Sequence, residues 1–168
     1  MPDLSDLISR VEKASGPDRE LDAEVMFDLY ASPVGAHKED GAPIGYLWPD
    51  DDPSWSFGIR FPGKDREWFK ATCKRIDGET LLIERDGALV LMNRLRIPPL
   101  TASLDAVLTL LPKGMEFELT NLYGVAAVGM GLNTGSPCYA RREDGNITLA
   151  LLSAILRARQ AMQVEASS

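Results

Sequence analysis

Trp48, Trp55 and Trp68 are the three tryptophans of the chain, and they fall within one third of it. Arg60 and Arg66 stand among them, and Arg141-Arg142 follow on a later segment. Indole and guanidinium planes sandwich a heterocyclic base, each stacked base contributing about 1–3 kcal/mol. A nanomolar complex requires roughly 12 kcal/mol. Two stacks and two phosphate-pairing arginines in a preformed pocket reach that range. The residues with the right chemistry for a small anionic ligand are therefore Trp48, Trp55 and Trp68 for stacking and Arg60 and Arg141 for anion pairing. Thr101 and Ser103 add donors at a helix start. The competing account is packing alone, because aromatic side chains fill cores as readily as they line sites.

Catalytic constellations are harder to assemble. His37 is the single histidine, so a multi-histidine zinc site cannot form within one chain. Cys73 and Cys138 make no C-x-x-C pair. Asp50-Asp51-Asp52, or Asp18 with Asp22, has the carboxylates for magnesium, but a solvated acidic turn and a dipole-complementing helix start explain them more simply. A nucleophile needs a base and an orienting group, and no G-x-S-x-G elbow is present. Gly129-Met130-Gly131 and Gly135 lack the spacing of a phosphate loop, so tight turns account for them. Asn146-Ile147-Thr148 reads as a helix cap. No catalytic residue, metal or cofactor is expected, which points to a non-enzymatic protein.

Charge narrows the partners. Across 168 residues the formal net charge is −7, and the basic residues at Lys64–Arg66, Lys70–Arg75 and Arg94–Arg96 are interleaved with acids. Phosphate backbones are recognised by segregated Lys and Arg, so DNA and RNA are not expected as partners. No apolar run approaches the roughly 20 residues of a membrane-spanning helix. With no secretory signal at the N-terminus and only two cysteines, the reading is a cytoplasmic protein in a reducing compartment.

These side chains must be positioned by a small set of elements. Leu4, Leu7, Ile8 and Val11 recur on one helical face. Ser15-Gly16-Pro17 breaks that helix, and Pro17 with Asp18 and Glu20 starts a second, with Leu21, Val25 and Leu29 inward and an end near Tyr30. Residues 33–64 read as an aromatic, Pro/Gly-rich insert of loops and short strands. Residues 67–76 fit helix and strand equally. Leu81–Glu84 and Leu89–Leu95 form a hairpin around Asp86-Gly87. A helix capped by Thr101 or Ser103 follows, with Leu104, Val107, Leu108 and Leu111 inward until Pro112. Strands are expected at Met115–Leu119, Val125–Met130 and Cys138–Arg142, the last turning at Glu143-Asp144-Gly145. Asn146 caps a final helix from Ile147 to about Met162, and residues 163–168 are expected to fray. Helices at both ends with strands between them describe one α/β domain over 1–168. Its expected form is a layered α-β-α sandwich with a mixed sheet, antiparallel at least in part.

Three stretches carry a family resemblance: Leu7–Glu24, with Ser15-Gly16-Pro17-Asp18-Arg19-Glu20-Leu21 at its centre; Thr101–Pro112; and Leu149–Arg159. Together and in this order they resemble the phage ABA-sandwich family, leaving the aromatic insert unmatched. The resemblance implies an α-β-α sandwich encoded by a phage or prophage, hence a host-cytoplasmic location, and it carries over no catalytic residue. Helix capping also explains the first stretch without any functional role.

The expected function is non-enzymatic small-molecule binding, in which a phage protein sequesters a nucleotide signal of host immunity. The alternative is a protein–protein module whose aromatic insert binds a host or phage protein. A hydrolase of a nucleotide signal stands third. The candidate partners are thus a small anionic ligand, a host protein and a second copy of the chain.

Overall fold

The computed structural model describes residues 4–36, 38, 41–47, 56–64, 66–68, 80–85, 87–93, 97–131 and 138–166. In chain order the elements are α1 (Ser5–Lys13), α2 (Arg19–Tyr30), β1 (Ser32–Val34), β2 (Gly45–Leu47), β3 (Ser56–Pro62), β4 (Thr80–Arg85) and β5 (Ala88–Asn93), then α3 (Leu104–Leu108), β6 (Glu116–Leu122), β7 (Val125–Gly131), β8 (Cys138–Arg142) and α4 (Ile147–Ala166). The fold is α/β, as expected, with helices packed on strands. Every ladder among the described residues is antiparallel. The chain divides into two compact units, Met1–Leu21 with Pro99–Ser168, and Asp22–Pro98.

In the first unit α4 lies across the sheet β6-β7-β8, and α1 packs on α4. β7 explains the arrangement, because Ala126, Val128 and Met130 alternate into the core while Val125, Ala127 and Gly129 face away. Opposite them, Leu149, Leu151, Leu152, Ile155 and Leu156 of α4 are fully buried, each contributing about 1.5–3 kcal/mol. α1 supplies Leu7, Ile8 and Val11 at helical spacing.

The helix ends are satisfied by the residues that the sequence marks. Asn146 Oδ1 accepts from the Leu149 amide at 3.1 Å, and Ser103 Oγ accepts from the Ala106 amide at 3.2 Å. α4 runs to Ala166, past the point where fraying was expected. α3 is shorter than expected. Thr109 and Leu110 donate to the carbonyls three residues back, at 3.2 and 2.9 Å, a tightening that ends the α-helix well before Pro112. It turns Val107 and Leu110 into the core, in place of the Leu104, Leu108 and Leu111 face.

The second unit is a five-stranded sheet in the order β1-β2-β3-β5-β4. The short strands expected in residues 33–64 are present and supply three of the five strands of this sheet, β1, β2 and β3. β1 and β2 are three residues each and β3 seven, too little periodicity in the first two to fix their bounds from sequence. The β4–β5 hairpin forms as expected, with Gly87 at φ 67°. The part of α2 from Asp22 onward covers one face of this sheet. Its Phe27 ring meets Tyr46 edge-on at 4.6 Å. Arg85 Nη1 bonds Glu24 at 3.1 Å, and Arg85 Nε and Nη2 bond Asp28 at 3.2 and 3.1 Å. Residues 21–27 of α2 are buried on all sides rather than along one stripe, and Leu29 is only half-buried.

Candidate functional site

The residues expected to bind a ligand are distributed through both units. Trp48 and Trp55 lie outside the described residues, as do His37, Cys73 and most of the ambiguous segment 67–76. Arg60 is buried in β3 and pairs across the ladder with Val90, which places it on the α2 side of the sheet. Phe61, the next residue, points the opposite way, and Trp68 packs on it with ring centroids 6.4 Å apart. Trp68 also shelters Leu82 and Leu89 and carries Lys64 Nζ 4.7 Å from its ring centre. Arg60 and Trp68 therefore stand on opposite faces of one sheet.

Thr101, Ser103 and Arg141 belong to the first unit. Thr101 is buried, and its Oγ accepts from the Asp18 amide at 2.7 Å and donates to the Asp18 carbonyl at 3.2 Å. It ties the start of α2 to the turn that precedes α3. Ser103 is occupied as the α3 cap. Arg141 is exposed and pairs with Glu143 at 3.0 Å. An open hollow of about 520 Å³ surrounds the α1–α2 connection, from Lys13 to Glu20. The helix start that it exposes is already capped, because Asp18 Oδ1 accepts from the Leu21 amide at 3.0 Å. Among the described residues no group of His, Cys, Asp or Glu side chains is arranged to hold a metal ion, and no helix is long and apolar enough to cross a membrane.

A different surface stands out. α4 covers one face of the β6-β7-β8 sheet, and strand pairing fixes what lies on the other. Leu122 pairs with Val125, Thr120 with Ala127, Glu118 with Gly129 and Glu116 with Gly131. From β8, Arg141 aligns with Ala127 and Tyr139 with Gly129. Directly paired residues share a face, so these side chains form one outer surface. Tyr139 is 68% exposed and Leu122 61%. The Tyr139 ring lies over Gly129, where an added Cβ would come within 3.2 Å of it.

At one end of this face the β6–β7 turn consists of Tyr123 and Gly124, both with positive φ, 53° and 78°. A two-residue turn of this kind matches the twist of the strands and ordinarily takes Asn, Asp or Gly first. Tyrosine there is strained, by about 1–2 kcal/mol. Its side chain is nonetheless fully exposed. The turn is held from below. A Cβ at Gly145 would meet the Gly124 carbonyl at 2.7 Å, and Asn121 Nδ2 donates to the Gly145 carbonyl at 3.4 Å. Close approach of the β8–α4 turn thus fixes the hairpin tip.

None of Tyr139, Leu122 or Tyr123 was singled out from sequence. Tyr-Gly reads as an ordinary turn, and only the ladder shows that Leu122 and Tyr139 share an open face. The legible signal is the Glu116-Phe117-Glu118-Leu119 alternation, which marks a strand with one acidic side. No family model, curated protein or solved structure matches the chain.

Proposed function

We propose that the chain is a non-enzymatic protein-binding module whose contact surface is the open face of the β6-β7-β8 sheet together with its Tyr123 tip. The observation that carries this reading is Tyr123, a strained backbone presenting a fully exposed aromatic ring. Strain at a surface position is a pointer to function, and tyrosine is among the residues that dominate interface energies. Leu122 and Val125 flank the tip, and Tyr139 extends the apolar surface toward Gly129. Leu122, Tyr123 and Tyr139 are exposed, and exposed apolar and aromatic side chains gathered on one face suit another protein. Thr101, Ser103 and Trp68 have structural partners of their own, whereas Arg141, also expected at the ligand site, lies on this face beside Ala127. The resemblance to phage ABA-sandwich proteins gives the proposal its setting, a phage or prophage product that engages a host or phage protein.

The test joins stability to binding. Tyr123→Asn relieves the backbone and should stabilise the fold by about 1 kcal/mol, while removing the anchor. A photoreactive phenylalanine analogue is placed at 123, at 139 and at the exposed control position Lys113 in the cell of origin. A discrete adduct is expected from 123 and 139, absent from 113, and lost from 139 when Asn occupies 123. Adducts that are the same from all three positions would overturn the proposal, as would their absence from 123 and 139.

A further inference from the structure

The geometry points to the free edge of β6 as the docking strand for an extended segment in which basic and apolar residues alternate; this rests on the protein-binding reading above. Four strand edges are present among the described residues, those of β1 and β4 in one sheet and β6 and β8 in the other. β1 is three residues long and contains Pro33, which donates nothing to a ladder. On β4 the Leu82 carbonyl already accepts from Arg66 Nη2 at 2.9 Å. β8 spans five residues, and its Arg142 side chain turns away to the α1 carbonyls. β6 offers seven residues. Among the described residues no backbone hydrogen bond of 116–122 leaves its ladder with β7. Its outward N–H and C=O groups form a template for strand addition.

The side chains state what would be added. Glu116 and Glu118 lie on the open face, both exposed. Phe117 and Leu119 pair with Met130 and Val128 on the α4 side, where Phe117 remains 38% exposed. A strand laid along β6 places alternate side chains beside the two glutamates and the others beside Phe117 and Leu119. Lysine or arginine satisfies the first set and valine, isoleucine or leucine the second. The net charge of −7 favours the same basic partner at longer range. Repulsion by Glu116 and Glu118 also keeps a second copy of this chain from pairing on the edge, so the charges select as well as attract.

The full-length protein is titrated with an end-capped synthetic peptide alternating lysine and valine. The controls are its glutamate–valine counterpart, a peptide of the same lysines and valines in two blocks, and a backbone N-methylated lysine–valine peptide. Hydrogen exchange of residues 116–122 is read in parallel. The alternating lysine peptide should bind and slow exchange in β6, and the three controls should not. Combined Glu116→Lys and Glu118→Lys substitution, at exposed positions, should weaken the lysine peptide about tenfold, the equivalent of two opposite-charge cross-strand pairs turned into like-charge ones. It should also admit the glutamate peptide. Equal binding of the block peptide would mean charge alone, and equal binding of the N-methylated peptide would exclude strand addition. Either result overturns the proposal, as does no binding by the alternating peptide. If the peptide fails while crosslinking from 123 persists, the edge proposal falls alone. If both fail, the protein-binding reading falls with it.

Discussion

Replacing Arg142 by methionine should destabilise the first unit by about 3 kcal/mol, a figure that follows from where its guanidinium sits. Nη1 donates to the Val11 and Glu12 carbonyls, each at 3.0 Å, and Nη2 to the Ala14 carbonyl at 2.6 Å. These carbonyls lie at the end of α1 and on its C-cap Ala14, and of them Val11 also accepts from the Ala14 amide at 3.3 Å. Asp144 grips the guanidinium through Nε and Nη2, and that pairing holds the arginine pKa above its ordinary value. The side chain is only 9% exposed. The bond to Glu12 is solvent-exposed, and water can replace it. Those to Val11 and Ala14 are partly buried, and at about 1.5 kcal/mol each they supply the total. Lysine keeps the charge but not the fork, so Arg142→Lys should recover no more than one of these bonds. Urea unfolding followed by far-UV circular dichroism measures the loss, provided the m-value is unchanged. Hydrogen exchange in α1 locates it. A loss under about 1 kcal/mol for Arg142→Met, or full rescue by lysine, would refute the argument that fork geometry holds the end of α1.

Two further outcomes follow from buried charge and from acid titration. Arg85→Met should cost about 3 kcal/mol, because it removes the guanidinium that bonds both Glu24 and Asp28; adding Glu24→Gln and Asp28→Asn should restore most of that, and a triple variant no more stable than the single one would dismiss the triad as a source of stability. Asp144 is held down to about 2 by its hydrogen bond from Arg142 and then by the Asn146 amide, while burial raises the Glu12 carboxyl less than the hydrogen bonds from Arg157 and Ser153 and the charges of Arg157 and Arg142 lower it. Folded values below the unfolded ones mean that both groups stabilise the fold above their ordinary values of 4.5 and 3.8 and lose that contribution as pH falls, for Asp144 until about 2. The urea midpoint should therefore decline over that interval, more shallowly in Glu12→Gln/Asp144→Asn, and equal slopes would contradict the assignment.

Legibility from sequence followed the locality of the interactions. α1, the start of α2, the β4–β5 hairpin, the three strands of the first unit and the Asn146 cap are all written in residues within a few positions of one another. Residues 33–64 were legible as short strands but not as members of the sheet with β4 and β5, because the β3–β5 pairing joins residues about 30 apart. Glu24 and Asp28 look like a solvated face until Arg85, 61 and 57 residues further on, reaches them. Arg60 and Trp68 are close in sequence and chemically suited to one ligand, yet strand alternation sends them to opposite faces. The exposure of Tyr123 and the openness of the surface beside it depend on the ladder and on Gly145, which no local pattern encodes.

The distribution of broken rules argues for the site more strongly than any one side chain. Several costly groups elsewhere in the first unit are answered: Asp18 caps α2, Ser103 caps α3, Asn146 caps α4, Arg142 bonds carbonyls at the end of α1, and buried Ser153 donates to Glu12 at 2.9 Å. Local preference and global fold agree at these points, as they do in sequences selected to fold. At the β6 end of the sheet they disagree three times within seven residues. Phe117 is left partly exposed on an open edge, Leu122 faces water, and Tyr123 occupies a backbone region suited to glycine or asparagine. Simple remedies exist here, a polar residue at 122 and asparagine at 123. On the proposed function, a partner that buries these three side chains would supply the reason for the cluster.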